Sequence, residues 1–502
     1  MARSSPIPGE ELRKSIFVAA ALAAAAIPAF AQVAPSASTA AATPAEEATG
    51  AILKAINDGH DLRAALAAYA FTAKALENES AESRLKWLDR IAKDSGGLTL
   101  VSSAPQGDRM VEAVVRSNKG GKFGKLVVFT SKAESGKISD VFLLAARDPA
   151  RVKGEAWPTG PLSMSRIATE IQKHAAALAS EDSFSGVLLV AKGDRIVVNR
   201  AYGLADQEWK APNRTDTLFH VASMGKMFTA AAILKLAGEG KLSLDDSVAK
   251  WVPEYPHPEG AKITLKHLLT HSAGIGEWDG RAIRGEKTGT ELAATMTEPL
   301  QFEPGARFAY SNAGFVLLQA VVEKATGKSF ADALQELVFA PAGMKHTGLW
   351  PVTAIVPNRA TGYLRPPEDP LGLGPRFSNA QFLGYDGNGS GGEYSTAADM
   401  LAFNRAIATG KLLGPKLTEE MLTPRIDFAG AQRPSKYGYG TDLGQCSGHA
   451  TFGHGGGGPN SGVSSVDYYV RDGDWSIIVL SNYDPPAAED LAYSTCEFVA
   501  GR

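Results

Sequence analysis

The feature that most constrains the fold is an apolar run from Phe228 to Leu236, which has helical spacing and ends at Gly238 and Gly240. Glycine commonly follows the last turn of a helix, so the two glycines mark where this helix stops. Because almost every residue of the run is apolar, it predicts a helix buried inside a domain. A chain of 502 residues is long enough for such a domain and for a second folded unit.

A serine and a lysine, Ser223 and Lys226, occupy the predicted first turn of this helix. Residues three positions apart share one helix face, so the lysine amine can approach the serine hydroxyl and help to remove its proton. The helix N-terminus also offers free backbone N–H groups to an oxyanion. The same spacing occurs at Ser83–Lys86 and Ser247–Lys250, where a polar helix surface is the simpler interpretation. Only the first site has a glycine within the motif and a buried-looking helix behind it.

The sequence contains one Tyr-x-Asn motif, Tyr310-Ser311-Asn312, which follows a turn and precedes the apolar helix Phe315–Val322. An ordinary phenol, with a pKa near 10, is a poor base at pH 7 unless a nearby cation favours its ionised form. Lys226 could supply that charge, and Asn312 could bind a substrate carbonyl or hold the lysine. The alternative is a tyrosine that packs in the core with its hydroxyl group satisfied.

A third motif, His454-Gly455-Gly456, lies on a short predicted strand that begins at Phe452. Glycines leave the edge of a strand bare, so a substrate backbone can approach and a main-chain N–H can reach an oxyanion. A glycine-rich turn is one alternative and a metal-binding histidine is another. No other histidine has ligand spacing with His454, so the sequence predicts no metal and no cofactor.

Strands are predicted at both ends of the region that holds these motifs. The early strands, separated by a tight turn, are Gly186–Ala191 and Arg195–Ala201. The late strands are Tyr437–Leu443, Phe452–Gly456, Val463–Val470 and Trp475–Ser481. Helices are predicted before and after them, at Met164–Ala179 and Ala487–Val499. The pattern predicts one antiparallel sheet assembled from both ends of a domain.

Taken in order, the three motifs resemble the serine β-lactamase and penicillin-binding protein superfamily. The branch that fits best holds class C β-lactamases, D-Ala-D-Ala carboxypeptidases, D-aminopeptidases and related esterases. The resemblance runs from about Ser165 to Val499. It includes the further segments Gly240–Asp246, Ile263–Gly274, Pro341–Met344 and Tyr394–Met400. It implies an α+β fold over residues 161–502, in which an antiparallel sheet is flanked by helices and accompanied by an all-helical subdomain.

The resemblance also implies a role for each motif residue. Ser223 would attack the acyl carbon and form an acyl-enzyme, while Lys226 and Tyr310 would share the duty of general base. The oxyanion would lie between the backbone N–H groups of Ser223 and Gly457. The residues implied to bind the substrate or the oxyanion are Asn312, His454, Gly456 and Gly457.

One position departs from the β-lactamase pattern. True β-lactamases commonly have lysine where this chain has His454, and histidine is mostly neutral at pH 7. A weaker positive field should bind an anionic β-lactam less well. The resemblance therefore favours an ester or a D-residue-containing peptide as the small-molecule substrate. A β-lactamase and a non-catalytic sensor of cell-wall fragments are the alternatives.

Residues 1–31 predict a secretory signal peptide, with basic residues first, then the apolar run Ile16–Phe30 and the cleavage pattern Ala29-Phe30-Ala31. The apolar run is shorter than the roughly 20 residues that cross a bilayer, so no membrane span is expected after cleavage. An uncleaved anchor is the alternative. Residues 32–47, rich in Ala, Pro, Ser and Thr, predict a flexible linker. Export to the periplasm or outside the cell follows from this interpretation.

Residues 48–155 predict a small α+β unit of unknown role. Its predicted helices include Ile52–Ile56, Leu62–Phe71 and Leu85–Ile91. Its predicted strands are Met110–Val115, Leu126–Phe129 and Val141–Ala145. Helices followed by a small antiparallel sheet resemble a cystatin- or NTF2-like module in architecture only.

Charge and cysteine content bear on the partners and on the compartment of the protein. A net charge of −3, with basic residues scattered along the chain, argues against nucleic acid or an anionic membrane as the main partner. The two cysteines, Cys446 and Cys496, could form a disulfide in an oxidising compartment. The sequence leaves that pairing and the oligomeric state open.

Overall fold

The computed structural model describes residues 42–105, 109–134, 136–146, 149, 157–276, 287–365, 369, 371–372, 374–380, 383, 387–428, 435–458 and 461–502. The predicted signal peptide and residues 32–41 of the predicted linker lie outside these ranges. The described residues divide into two compact units. The first comprises residues 42–158 and Arg365–Phe377, and the second comprises Thr159–Leu364 and Ser378–Arg502.

In the first unit helices precede strands. The helices are α1 Pro44–Asp58, α2 His60–Tyr69, α3 Ala73–Asn78 and α4 Ala81–Ser95. The strands are β1 Leu98–Pro105, β2 Met110–Ser117, β3 Phe123–Thr130 and β4 Ile138–Ala146. The strands form an antiparallel sheet in the order β1-β2-β3-β4, and side chains such as Ile52, Val111 and Leu126 share its core. The cystatin- or NTF2-like assignment stays a prediction.

Three features of the first unit differ from the sequence expectation. Helix α1 begins inside the predicted linker, because Thr43 and Glu46 form a capping box that satisfies the first backbone N–H groups. Strand β1 was not predicted, since its residues after Leu98 are exposed and show no alternation. The segment Arg365–Phe377 interrupts the predicted continuous domain 161–502, because the apolar side chain of Leu371 is buried in the core of the first unit.

The remaining elements follow in chain order. The strands are β5 Gly186–Lys192, β6 Arg195–Tyr202, β7 Leu204–Asp206, β8 Ala211–Pro212, β9 Phe219–His220, β10 Tyr363–Leu364, β11 Phe377–Ser378, β12 Tyr394–Ser395, β13 Ile426–Asp427, β14 Lys436–Tyr437, β15 Asp442–Cys446, β16 His449–Gly457, β17 Ser464–Val470 and β18 Trp475–Ser481. The helices are α5 Met164–Ser180, α6 Gly225–Gly238, α7 Val248–Trp251, α8 Leu265–Leu269, α9 Gly289–Ala293, α10 Asn312–Thr326, α11 Phe330–Leu334, α12 Ala340–Ala342, α13 Ala397–Ala408, α14 Gly414–Met421 and α15 Ala487–Ala500.

The second unit is built on an antiparallel sheet of eight strands in the order β13-β14-β15-β16-β17-β18-β5-β6. Strand β18 pairs with β5, so the sheet is assembled from both ends of the domain, as predicted. Every residue of β18 is buried, because α5 and α15 pack on the sheet together and α13 packs on β18 and β5. The α+β fold predicted for this unit is confirmed.

Helix α6 lies in the main apolar core and contacts α10 and α14. All of its first ten residues are buried, as an all-round apolar pattern requires. The expectation that Ser223 lies in the first turn of this helix is wrong. Ser223 lies in a 3₁₀ turn, Ala222–Met224, directly before α6.

The predicted strand Tyr437–Leu443 is also wrong, because two strands with a turn between them occupy this stretch. Strand β14 ends at Tyr437 and β15 begins at Asp442. Gly440 in the turn has φ +64°, and a Cβ atom there would overlap the backbone of Lys226. The chain therefore leaves the sheet at this point and lies against helix α6, which carries Lys226.

Cys446 and Cys496 form a disulfide that joins the end of β15 to α15. None of the helices in the described ranges is both long and apolar enough to cross a membrane.

Candidate active site

Ser223 lies on a tight turn that other backbone segments hold in place. Ala222, directly before it, has φ +46°, which is unfavourable for a residue with a side chain. Gly391 and Gly456 approach the turn so closely that a Cβ atom on Gly391 would overlap the Ala222 carbonyl and one on Gly456 the Val221 carbonyl. The surroundings thus hold the serine in one conformation, as strained residues at functional sites require.

The Lys226 side chain is completely buried, and its Nζ atom has three hydrogen-bond acceptors. It donates to the Ser390 carbonyl at 2.6 Å, to Asn312 Oδ1 at 2.8 Å and to Ser223 Oγ at 3.1 Å. An ammonium group has three hydrogens, whereas a neutral amine has two hydrogens and a lone pair. Two hydrogens go to Ser390 and Asn312 in either state. The direction toward Ser223 then holds a proton or the lone pair.

Tyr310 and Asn312 flank the residue that caps helix α10. Ser311 is that cap, and its side chain accepts a hydrogen bond from Gly314 N at 3.2 Å. The capped turn presents Asn312 to Lys226 and brings the Tyr310 ring centroid to 4.8 Å from Lys226 Nζ. Tyr310 is only half-buried, so its phenol lies where solvent and a substrate can reach.

His454 lies on β16 with its side chain buried. Burial and the charge of Lys226 lower the pKa of His454 to about 3, so the ring is neutral at pH 7. Its Nε2 pairs with the hydroxyl of Tyr437 at 3.0 Å, and its Nδ1 contacts the carbonyl of Gly455. Both nitrogen atoms are therefore occupied inside the protein.

The end of the same strand approaches the serine. A Cβ atom on Gly456 would lie 3.2 Å from the backbone nitrogen of Ser223, so the two backbones are in contact. Gly457 follows with an exposed backbone and φ +117°, a conformation that favours glycine. A Cβ atom on Gly457 would overlap the Val463 carbonyl. The structure brings all the predicted site residues into one neighbourhood.

Two buried acids flank the His454 strand. Asp467 on β17 accepts the backbone N–H of His454 at 3.0 Å, and Asp442 on β15 lies in register with Gly453. Burial raises the pKa of Asp467 to about 7, and burial together with the charge of Asp467 raises the pKa of Asp442 to about 8. At least one of the two carboxyl groups is therefore protonated at neutral pH.

Three groups that contribute to the site are not part of any sequence motif. They are His271, whose ring stacks on Tyr310 with 4.2 Å between centroids, Tyr437, and the carbonyl of Ser390. His271 lies within the segment Ile263–Gly274 that resembles the family, but no spacing rule marked it. A backbone carbonyl leaves no signal in a sequence. In the described ranges there is no group of three or more His, Cys, Asp or Glu that could hold a metal ion.

Comparisons with known proteins place this chain among hydrolases and penicillin-binding proteins. The chain is 30% identical to penicillin-binding protein 4* of Bacillus subtilis over 335 residues, covering 63% of this chain and 71% of the relative. It is 34% identical to esterase EstB of Burkholderia gladioli over 266 residues, covering 46% of this chain and 67% of the relative. It also superposes on the crystal structure of a D-stereospecific amidohydrolase from Streptomyces sp. with a TM-score of 0.53 at 27% identity, covering 64% of this chain and 96% of that one.

The fold and the relatives define the protein as a serine hydrolase. The sequence profile of the beta-lactamase family matches residues 171–495. The chain belongs to this family.

Proposed function

We propose that this protein is an exported hydrolase in which Ser223 forms an acyl-enzyme with an ester or with a D-residue-containing amide. The observation that carries the proposal is the 3.1 Å contact between Lys226 Nζ and Ser223 Oγ inside a buried site. Nucleophilic serine needs an adjacent base, and the Lys226 amine lies within hydrogen-bond distance of the Ser223 hydroxyl group. The reaction would break the acyl bond and release an alcohol or an amine.

The proton chemistry follows from the three acceptors of Lys226. As a neutral amine, Lys226 gives hydrogens to Ser390 and Asn312 and points its lone pair at Ser223, from which it takes the proton. Tyr310, whose ring lies beside the amine, shares the proton with Lys226 and passes it to the leaving group. In the second half-reaction Tyr310 helps to activate water, and Ser223 regains its proton.

The oxyanion of the tetrahedral intermediate would be bound by backbone N–H groups of Ser223 and Gly457. The close approach of Gly456 to the Ser223 nitrogen supports this role, since it brings the two segments into contact. Groups that are fixed before reaction stabilise developing charge without reorganisation. The strained turn at Ala222 likewise fixes the backbone N–H of Ser223 before reaction.

The state of His454 supports a substrate without a carboxylate near the scissile bond. The ring is neutral, and neither nitrogen has a free proton for a substrate, because Tyr437 and Gly455 occupy both. An anionic β-lactam would find no cation at this position. We therefore infer slow or absent β-lactam hydrolysis. Within the neutral substrates, the relatives include both an esterase and an amidohydrolase.

Export is supported by the Cys446–Cys496 disulfide, because such bonds persist in oxidising compartments and are rare in the cytosol. The predicted signal peptide gives the same localisation from the sequence.

The test uses the purified chain and three probes: p-nitrophenyl butyrate, a D-alanine p-nitroanilide and a chromogenic cephalosporin. We expect turnover of the ester or the anilide, loss of that turnover in Ser223→Ala, and little hydrolysis of the cephalosporin. Ser83→Ala is the matched control, since Ser83 begins another Ser-x-x-Lys sequence and is exposed. Turnover that survives in Ser223→Ala would refute the proposed nucleophile. Covalent labelling of Ser223 without turnover would favour a sensor of cell-wall fragments.

A further inference from the structure

A chain of buried hydrogen bonds joins the start of α10 to strand β16. The backbone N–H of Ser311 donates to His271 Nδ1 at 3.0 Å, and His271 Nε2 lies 3.2 Å from the Tyr437 hydroxyl. That hydroxyl lies 3.0 Å from His454 Nε2, and His454 Nδ1 contacts the carbonyl of Gly455. The chain thus begins and ends on backbone groups of two motifs that serve the proposed reaction.

Only one placement of protons satisfies every contact. His271 Nδ1 accepts from a backbone N–H, so the proton of neutral His271 is on Nε2 and is donated to Tyr437. Tyr437 then donates its own proton to His454 Nε2. His454 therefore carries its proton on Nδ1 and donates it to Gly455. Burial keeps the pKa of His271 well below the usual value for histidine and that of Tyr437 well above the usual value for tyrosine.

This network cannot carry protons to or from solvent. The side chains of His271, Tyr437 and His454 are 2%, 0% and 4% exposed. Both ends of the network are backbone amide groups, which do not titrate. A fully satisfied buried network of this kind fixes geometry, because each member constrains its neighbours.

The elements that it fixes are those that carry the site. The His271 ring stacks on the Tyr310 ring, with 4.2 Å between centroids and 28° between the ring planes. His271 Nδ1 also accepts a hydrogen bond from the backbone N–H of Ser311, the residue after Tyr310. At the other end, the network anchors the carbonyl of Gly455, one residue before the strand reaches the Ser223 backbone. Tyr310 and the His454–Gly457 strand are therefore connected to each other through His271 and Tyr437.

We propose that His271 and Tyr437 are positioning residues, which hold Tyr310 and the His454–Gly457 strand at a fixed separation and keep the His454 proton on Nδ1. This inference rests on the function proposed above. Neither residue touches the substrate in this proposal. Their effect on the reaction is transmitted through Tyr310 and through the strand.

The first test measures protonation sites without any turnover. In the Ser223→Ala protein labelled with ¹⁵N-histidine, long-range ¹H–¹⁵N NMR at pH 7 distinguishes the two tautomers, with His271→Asn and His454→Asn used for assignment. Asparagine tolerates the φ of +54° found at His271. We expect a proton on Nε2 of His271 and on Nδ1 of His454. The opposite tautomer of either ring would overturn the proposal.

The second test measures kinetics on p-nitrophenyl butyrate in the full chain with Ser223 intact. Tyr437→Phe keeps the ring and removes the central hydroxyl, so we expect kcat to fall about tenfold while KM changes little, because small misplacements of catalytic groups cost rate. Tyr439→Phe is the matched control. Tyr439 is a buried tyrosine two residues away on the same segment, and no hydrogen bond joins it to either histidine in the described residues. An unchanged kcat in Tyr437→Phe would overturn the proposal.

The two hypotheses fail in different ways. If p-nitrophenyl butyrate turnover survives in Ser223→Ala, the proposed function is wrong, and the tautomers still report on the network. If Ser223→Ala abolishes turnover and Tyr437→Phe matches the parent, the positioning role alone is wrong.

Discussion

Gly225 lies in direct contact with the carboxyl group of Glu393, and a methyl group on Gly225 would overlap that carboxyl. Gly225 is the first residue of α6. It directly follows the 3₁₀ turn that holds Ser223 and directly precedes Lys226. Glu393 is completely buried, and its own carbonyl accepts the backbone N–H of Val221. The turn that carries Ser223 is therefore packed against a buried acid that the proposed reaction does not use.

Substituting Gly225 by alanine should destabilise the protein, because overpacking of a filled interior costs about 1–3 kcal/mol. The double variant Gly225→Ala/Glu393→Ala should recover part of that loss, since it removes the overlapping carboxyl group. Urea unfolding of the two single variants and the double variant gives the coupling energy. Additive effects would show that the two residues do not press on each other. Gly50→Ala is the control, because nothing lies within 4 Å of that site in α1, and it should stabilise the chain by up to about 1 kcal/mol.

The carboxyl of Glu393 should make stability depend on pH. Burial raises its pKa from the usual value near 4.5 to about 8. The folded state therefore holds a proton that the unfolded state loses, and stability should fall as the pH rises from about 4.5 to about 8. At 1.36 kcal/mol per pKa unit the effect has an upper bound of about 5 kcal/mol. Thermal unfolding of Glu393→Gln and the parent at pH 5, 7 and 9 should show a stability difference that grows in favour of the variant. Parallel profiles would contradict the assignment.

Replacing Lys226 by methionine should separate stability from activity. Methionine has a similar volume but cannot donate to Ser390 and Asn312, so the free energy of unfolding should fall only by about 1–3 kcal/mol. Turnover of p-nitrophenyl butyrate should fall by about 10²–10⁴, the range for loss of a general base. Lys235→Met on the same helix is the control and should retain turnover, because Lys235 bonds the Leu337 carbonyl away from the site. A Lys226→Met enzyme with parental turnover would remove the lysine from the mechanism.

Removing the Cys446–Cys496 disulfide should lower stability without changing the site. The two cysteines are 50 residues apart in the chain, and closing a loop of that length is worth up to about 4 kcal/mol in the chain-entropy description. Urea unfolding with and without a reductant should show the loss. The Cys446→Ser/Cys496→Ser variant should be insensitive to the reductant. A parent protein that is equally stable in both conditions would argue against a formed bond in solution.

The motifs of the candidate site could be identified because each is a local pattern with a chemical reason. Ser223 and Lys226 are three positions apart at the start of an apolar helical run, and the glycines after His454 indicate a strand that a ligand can approach. His271 and Tyr437 could not be predicted in the same way. Each is a single residue whose partner lies far along the chain, and only the folded sheet brings them together.

The same distinction explains the errors in the fold. The strands β5 and β18 were predicted from continuous apolar runs, which signal burial on both faces. Strand β1 is exposed after Leu98, so it has no hydrophobic pattern to detect. The break between Tyr437 and Asp442 depends on the turn at Gly440, whose conformation is set by contact with α6. Tertiary contacts determine these two features, so the local sequence could not predict them.

The pairing of β5 with β18 determines when the enzyme can first acquire its structure. Ser185 and Ser481 are joined by a hydrogen bond although 296 residues separate them in the chain. A ribosome that adds 5–20 residues per second needs roughly 15 to 60 seconds to make the intervening polypeptide. Throughout that interval the nascent chain lacks the strand that completes its central sheet. The proposed export of this protein is compatible with that delay, since the sheet cannot close before the last strands have been synthesised.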